Sequence, residues 1–555
     1  MNINEAKEEV KNAVRAYLEK DDAGQYEIPK ERQRPILLMG PPGIGKTAIM
    51  EQIAHELSIG LVSYTITHHT RQSAIGLPMI SEKEYGGKKY SVTDYTMSEI
   101  IGAVYEQIEK TGVKEGILFL DEINCVSETL APTMLQFLQY KTFGSHRIPD
   151  GYIIVTAGNP PQYNKSVREF DIVTLDRVRQ INIEEDFDAW KDYAYKTGIC
   201  GVIMAYLEIK KDNFYSIKTD VGGRSFVTAR GWEDLSRVIK VHEKLGIPVD
   251  EKLTVQYLQN PEVARDFATY YELYKKYNEL YRIPDILDGR FPEDKKSMKD
   301  GSFDEKLSII GLLVERLMEE FRKYAGAKAQ QKIVFEEIKK LGTYLDAQGE
   351  YNNASTSSEN ELKSALSSQN SQTEGNGDSV PSGGPSHFAL NNGSSSDKHL
   401  PSGWLLDRAA QIEQETSEKA AAGLLSREDE RNRRKAVAAL RGCAESLKIR
   451  GDGDNSFELA KEWFKERESS RQKDIRLTDA HLTNAFAFLD ETFGSGDLMS
   501  GSQEMVIFLT ELSGAYHSLK FVRETGNDAY YRYNRLLLVS DQKQALKEEV
   551  EKLLF

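Results

Sequence analysis

The sequence predicts an α/β fold built on a parallel sheet, followed by regions made almost entirely of helices. Between residues 32 and 185, short apolar runs alternate with helical stretches, which is the pattern of a parallel sheet with crossover helices. One apolar run leads into a glycine-rich loop at residues 40–47, and another ends in two acids, Asp121 and Glu122. Because ligands bind at the carboxyl edge of the strands in such a sheet, we expect both features at one edge.

Five apolar runs are expected to form the strands of this sheet. They are Pro35–Met39, Gly60–Ile66, Gly116–Leu120, Tyr152–Ala157 and Arg179–Ile183. An amphipathic helix is predicted ahead of them at residues 3–18. Farther on, the pair Gly86 and Gly87 predicts a hairpin between the segments Leu77–Ile80 and Tyr90–Tyr95.

The glycine-rich loop fits the phosphate-loop pattern G-x-x-x-x-G-K-[ST] at every position. It reads Gly40, Pro41, Pro42, Gly43, Ile44, Gly45, Lys46, Thr47. Gly43 and Gly45 let the backbone bend so that successive N–H groups approach phosphate oxygens. Lys46 would place its charge on the β- and γ-phosphates, and Thr47 would offer a hydroxyl to Mg²⁺. The loop therefore predicts a nucleotide site, and the alternative is a glycine-rich turn that binds nothing.

Acidic and amide side chains follow two of the other predicted strands. Asp121 would hold Mg²⁺, and Glu122 would polarise a water for attack on the γ-phosphate. Asn159 comes directly after the run at 152–157 and could orient that water. The alternative interpretations are a solvated acidic turn for the two carboxylates and a turn-forming role for Asn159.

Arginines precede the last predicted strand, in the segment Leu175-Asp176-Arg177-Val178-Arg179. A guanidinium supplied by a neighbouring subunit could stabilise charge on the transferring phosphate. The alternative is that these arginines are ordinary surface cations.

These motifs resemble the AAA+ ATPases, and within them the MoxR-like branch. Over roughly residues 30–330, the segments 40–47, 117–124, 156–161 and 175–179 resemble Walker A, Walker B, sensor 1 and the arginine-finger region. Thr228-Ala229-Arg230-Gly231-Trp232 resembles the sensor-2 segment, without the proline that usually precedes its arginine. The resemblance implies Lys46, Thr47 and Asp121 on phosphate and Mg²⁺, with Glu122 activating water and Asn159 as the sensor. It also implies Arg177 as the finger acting on a neighbour and Arg230 as a γ-phosphate contact, although Arg168 and Arg179 compete for the finger role.

The resemblance also implies an assembly. A MoxR-like chain is expected to form a ring of six subunits that hydrolyses ATP with Mg²⁺, with each active site at a subunit boundary. Such rings act as chaperone-like remodellers of a protein client, beside a partner with a von Willebrand factor A domain.

Composition predicts four regions along the 555 residues, more than one ordinary core can hold. They are an α/β nucleotide-binding core at 1–186, a helical lid with a helical extension at 187–345, a disordered Ser/Asn/Gly-rich linker at 346–402, and a helical C-terminal domain at 403–555. The last region, expected to be an interaction module, carries helical patterns at Asp479–Phe493, Gln503–Phe521 and Asp541–Leu554.

Charge and cysteine content limit the compartment and the partners. The formal net charge of −15 disfavours broad nucleic-acid binding. No apolar run approaches the ~18 residues of a membrane helix, and three scattered cysteines suit a reducing cytoplasm. Two other functions use the same catalytic parts and stay open, namely a nucleic-acid motor of helicase or loader type and a nucleotide-gated scaffold with little turnover.

Overall fold

The computed structural model describes residues 1–68, 74, 76–163, 167, 170–220, 223–347, 400–421, 423–453, 455–494 and 502–536. The predicted linker at 346–402 and the predicted helix Asp541–Leu554 lie largely or wholly outside these residues. Among them, no helix combines the length and hydrophobicity needed to cross a bilayer.

The strands, in chain order, are β1 (Ile36–Met39), β2 (Gly60–Thr65), β3 (Pro78–Tyr85), β4 (Lys88–Tyr95), β5 (Gly116–Asp121), β6 (Thr142–Phe143), β7 (His146–Arg147), β8 (Tyr152–Gly158), β9 (Arg179–Asn182), β10 (Ser216–Asp220) and β11 (Gly223–Val227). The helices are α1 (Ile3–Leu18), α2 (Lys46–Leu57), α3 (Glu99–Thr111), α4 (Ala131–Tyr140), α5 (Ile172–Leu175), α6 (Phe187–Thr197), α7 (Gly201–Ile209), α8 (Ala229–Leu245), α9 (Glu251–Leu258), α10 (Pro261–Tyr281), α11 (Ile283–Leu287), α12 (Lys295–Lys299), α13 (Phe303–Ala347), α14 (Pro401–Ala421), α15 (Arg427–Arg450), α16 (Ser456–Phe493), α17 (Gln503–Gly514) and α18 (Tyr516–Thr525).

A five-stranded sheet with the order β2-β5-β8-β1-β9 forms the centre of the N-terminal α/β region. Its neighbouring strands all run parallel. This confirms the predicted α/β class, and each of the five predicted strands is present to within one residue at either end. Parallel strands need crossover connections, which explains the alternation of apolar runs and helices in the sequence.

Both faces of the sheet are covered. Side chains such as Leu37, Leu118 and Ile154 enter one buried cluster. Their strand neighbours, such as Ile36, Phe119 and Val155, enter a second cluster with α1 and α2. Successive side chains on a strand point to opposite faces, so strands covered on both sides are apolar throughout.

The predicted hairpin at residues 77–95 is present as β3 and β4, paired antiparallel around the turn at Gly86 and Gly87. Its base is fixed by hydrogen bonds between Leu77 and Thr96. Large apolar side chains remain in solvent along it, among them Met79 at 52% and Ile80 at 80% exposure.

The chain divides into two compact units. The first comprises Met1–Met318 with Ser417–Glu430 and Phe488–Tyr516, and the second comprises Glu319–Thr416, Arg431–Ala487 and His517–Phe555. The second has a helical core of its own, in which Val334 and Leu341 are buried with Leu405, Leu440 and Phe464. The boundaries of these two units differ from those of the four predicted regions. The division into four regions stays a prediction.

The predicted helical pattern at Gln503–Phe521 is divided in the structure. The first helix, α17, ends where Ala515 adopts an extended conformation, and α18 begins at Tyr516. An extended residue breaks the i to i−4 hydrogen-bond ladder, so one continuous helix cannot form there.

Candidate active site

The candidate site lies where three adjacent strands, β5, β8 and β1, end. Asp121 closes β5, Asn159 follows β8, and the phosphate loop follows Met39 at the end of β1. The main chain joins two of these ends, because the Gly40 N–H donates to the Gly158 carbonyl at 3.3 Å. The sheet order thus brings together residues that are more than a hundred positions apart in the sequence.

The phosphate loop has the backbone that its glycines predict. Gly43 and Gly45 have φ values of +76° and +99°, in the region that favours glycine. Gly45 is the N-cap of α2 and lacks a side-chain cap, so the first N–H groups of that helix are available to an anion. Ile44 is buried in the cluster that α1, α2 and one face of the sheet share, and this packing fixes the middle of the loop.

Gly40 allows a close approach of two chain segments. A Cβ atom at this position would lie 2.7 Å from the carbonyl oxygen of Ile183. Pro41 and Pro42 follow it, and both have carbonyl groups that accept hydrogen bonds, one from Lys46 and one from Tyr215.

Lys46 is buried and is held by neutral oxygen atoms. Its Nζ donates at 2.8 Å each to the carbonyls of Gly40 and Pro41 and to Oδ1 of Asn159. Burial lowers the pKa of Lys46 to about 8, Asp121 acts to raise it, and Arg230 acts to lower it further. A buried ammonium without a hydrogen-bonded carboxylate favours an incoming anion, which would restore its charge balance.

Thr47 and Asp121 lie side by side. The Thr47 hydroxyl donates to Oδ2 of Asp121 at 3.3 Å. Hydroxyl and carboxylate oxygens are the hard ligands that Mg²⁺ prefers, and Mg²⁺ is usually held by one or two protein groups together with phosphates. These two residues therefore fit the predicted metal, and the described residues contain no cluster of three or more His, Cys, Asp or Glu side chains for a metal elsewhere.

Glu122 adopts a left-handed backbone conformation, with φ of 56°, that a non-glycine residue rarely takes. Its N–H donates to Oδ1 of Asp121 at 2.9 Å, which holds the two acidic residues in one turn. Backbone conformations of this kind concentrate at functional sites, where the surroundings hold them in place.

The two predicted arginines differ in surroundings. Arg230 is on the first turn of α8 and is exposed, and its charge is near enough to Lys46 to act to lower the pKa of that lysine. Arg177 is exposed directly after α5, whereas Arg179 is paired with Glu9 of α1. Arg168 lies outside the described residues.

Two further residues support the site and were not predicted. The Asn124 amide donates to the carbonyl of Asn159 at 2.8 Å and so fixes the chain at the end of β8. Tyr215 donates to the Pro42 carbonyl at 3.0 Å. Asn124 lies two residues after the acidic pair, so the sequence alone could have indicated it as a site residue. Nothing in the local sequence marks Tyr215 in this way.

One comparison with known proteins, against protein families, indicates a type of domain. Residues 36–175 match the family model described as ATPase family associated with various cellular activities (AAA). No curated protein matches the chain.

Solved structures similar to this chain include PCH-2 from C. elegans, at 17% identity and a TM-score of 0.23 over 38% of this chain and 47% of that chain. They also include NtrX from Brucella abortus in complex with ADP, at 14% identity and a TM-score of 0.22 over 37% and 39%. The chain therefore spans less than half the length of either protein. The family match therefore shows that residues 36–175, about a quarter of the chain, are similar to the ATPase domain of the AAA family.

Proposed function

We propose that this chain is a Mg²⁺-dependent ATPase that remodels or matures a protein complex as an oligomeric ring, six-membered and MoxR-like, in the cytoplasm. The observation that carries the hydrolytic part is the juxtaposition at one sheet edge of Lys46, Thr47, Asp121 and Asn159, joined by direct hydrogen bonds. A partner with a von Willebrand factor A domain is part of the proposal and is supported by the resemblance to the MoxR-like branch.

The proposed chemistry divides between these residues. Lys46 and the loop N–H groups bind the triphosphate, and Mg²⁺ on Thr47 and Asp121 would offset charge on its oxygens. The Glu122 carboxylate accepts a proton from the attacking water as general base, and the Asn159 amide orients that water. Arg230, whose charge acts on Lys46, would contact the γ-phosphate.

Assembly into a ring is supported by Arg177. Arg177 is exposed and precedes the amino end of β9, away from the edge that carries the candidate site of its own chain, so its guanidinium suits contact with a phosphate bound by an adjacent subunit. Arg179 is already engaged with Glu9 of its own chain, which favours Arg177 for the role. Activity that rises with protein concentration, and falls in Arg177→Ala, would support this part of the proposal.

Action on a protein client is supported by the β3–β4 hairpin. Exposed apolar side chains such as Met79, Ile80 and Tyr85 suit contact with another polypeptide. Removing Gly86–Lys89 is expected to leave ATP hydrolysis intact and to abolish remodelling. Unchanged remodelling by this variant would show that the hairpin is an ordinary surface element.

The decisive experiment uses Glu122→Gln, with Glu128→Gln as the matched control on an exposed position of the following turn. Glu122→Gln should bind ATP with the parental affinity, lose hydrolysis by roughly a hundredfold or more, and retain partner and client in a pull-down. Hydrolysis at the parental rate by Glu122→Gln, or stimulation of the parent by DNA or RNA, would contradict the proposal. Tight ATP binding with almost no turnover by the parent would instead favour a nucleotide-gated scaffold.

A further inference from the structure

The lid segment that leads to Arg230 contacts the phosphate loop at two points. Tyr215, directly ahead of β10, donates its hydroxyl to the Pro42 carbonyl at 3.0 Å. Thr228, the N-cap of α8, lies close to Gly43. A Cβ atom added to Gly43 would lie 3.0 Å from the Cβ of Thr228. The two contacts fall on consecutive residues of the loop, on either side of a single peptide bond.

The Tyr215 side chain is well placed to hold its partner. Its ring packs against the buried cluster that α1, α2 and the sheet share. Burial raises the pKa of Tyr215, and the nearby Tyr163 and Glu185 raise it further, so the phenol keeps its proton and stays a donor at physiological pH.

The hydrogen bond determines the orientation of the peptide between Pro42 and Gly43. The described chain contains no cis peptide bond, and in a planar trans peptide the C=O and N–H groups point in opposite directions. Holding the Pro42 carbonyl towards Tyr215 therefore fixes the direction of the Gly43 N–H. Gly43, at φ +76°, has no side chain to restrict rotation of this peptide, so the restraint must come from outside the loop.

We infer that Tyr215 is a positioning residue, which holds the Pro42–Gly43 peptide in the orientation that binds the nucleotide's phosphates and makes that orientation depend on the lid. The inference rests on the proposed nucleotide site. Tyr215 directly precedes β10, and Thr228 directly follows β11 with Arg230 on the next helical turn, so displacement of this hairpin would release the loop peptide and move Arg230 together. Nucleotide affinity and lid position are thereby coupled.

The test compares Tyr215→Phe, which removes only the hydroxyl, with Tyr193→Phe. Tyr193 is a second half-buried tyrosine of the lid, and its hydroxyl donates to Glu233 at 2.9 Å, away from the loop. A neutral hydrogen bond of this kind corresponds to roughly a threefold to tenfold change in affinity. We expect Tyr215→Phe to raise the Kd for ADP and the KM for ATP by that factor, with kcat at saturating ATP within about twofold of the parent. Tyr193→Phe should leave all three values unchanged.

Two results would overturn the inference. One is a Kd for ADP in Tyr215→Phe that equals the parental value. The other is an equal loss of affinity in both variants, which would indicate a general loosening of the lid. Failure of the proposed function is recognised separately, because parental protein and Lys46→Ala would then hydrolyse ATP equally, whatever Tyr215→Phe does.

Discussion

Two lysines of the first unit are largely buried, yet their surroundings are opposite. Lys46 in the phosphate loop donates to two carbonyls and one amide oxygen, and burial lowers its pKa to about 8. Lys191 in α6 lies between the carboxylates of Glu208 and Glu511. Burial acts to lower the pKa of Lys191 as well, but the charges and hydrogen bonds of the two glutamates outweigh it, and the pKa is raised.

The difference separates a binding group from a structural one. At Lys191 the opposite charges are supplied by the protein, and Tyr195 adds a further hydrogen bond to Glu511, so the cluster is complete. Among the residues that the structure describes, no carboxylate is hydrogen-bonded to the Lys46 ammonium, and an anion from solution would balance its charge. A lysine whose pKa is lowered by burial is a recognised feature of functional sites.

The largest effect that would test this contrast is the loss of ATP hydrolysis when the charge of Lys46 is removed. Lys46→Met should lower kcat/KM for ATP by roughly a hundredfold to a thousandfold, as when another charge-stabilising donor is removed. The free energy of unfolding without nucleotide should not fall, since a poorly compensated buried charge is removed. Lys141→Met is the matched control, because burial also lowers the pKa of Lys141 to about 8 but its Nζ contacts Gln33, away from the loop. If Lys46→Met hydrolysed ATP at the parental rate, Lys46 would not be a binding group, and the contrast with Lys191 would be wrong.

The next effect concerns stability at Lys191. Lys191→Met leaves Glu511, whose side chain is 8% exposed, without its cation, and should lower the free energy of unfolding by about 3 kcal/mol. Denaturant unfolding measures this loss. The double change Lys191→Met with Glu511→Met removes the stranded charge and should recover much of the loss. A double variant as unstable as the single one would show that packing, and not charge, dominates there.

A smaller effect is the pH dependence of nucleotide binding. Without nucleotide the pKa of Lys46 is about 8, and a bound phosphate raises it by favouring the charged form. Binding above this pH therefore takes up a proton, and the Kd for ADP should rise by about tenfold between pH 7 and pH 9. Calorimetry in two buffers of different ionisation enthalpy measures the proton directly. In Lys46→Arg the guanidinium stays charged, so the pH dependence should disappear even if affinity is lower.

The smallest effect is expected at Glu208, whose side chain is 23% exposed. In Glu208→Gln, Lys191 keeps the ion pair with Glu511, so the free energy of unfolding should fall by less than about 1 kcal/mol. A loss as large as that of Lys191→Met would mean that the charges act as one inseparable triad.

How much of the structure can be predicted from the sequence depends on how far apart along the chain the contacting residues are. The five strands and the phosphate loop were predictable because apolar runs and glycine spacing are local patterns. The ion pair between Lys191 and Glu511 joins residues 320 positions apart and leaves no trace in either neighbourhood. Segment 488–516 belongs to the first unit although it is far along the chain from residues 1–318, and an association over such a separation also leaves no local pattern.

The candidate site shows the same division. Lys46, Thr47, Asp121 and Asn159 could be named because each sits in a short pattern at a strand end. Their catalytic roles, and those of Glu122, Arg177 and Arg230, stay predictions. Tyr215 could not be named, because its function depends on where a distant hairpin folds back against the loop.

The base of the β3–β4 hairpin has a consequence for protein engineering. Gly76 has a φ of +102°, and a Cβ there would lie 2.0 Å from the Thr96 carbonyl oxygen, so this position admits no other residue. At the tip, a Cβ on Gly86 or Gly87 would meet no atom within 4 Å. Because Gly86 and Gly87 have φ of +59° and +79°, an inserted recognition sequence must keep a turn of positive φ; with that turn kept, sequences could be exchanged at the tip while the glycine at its root is left untouched.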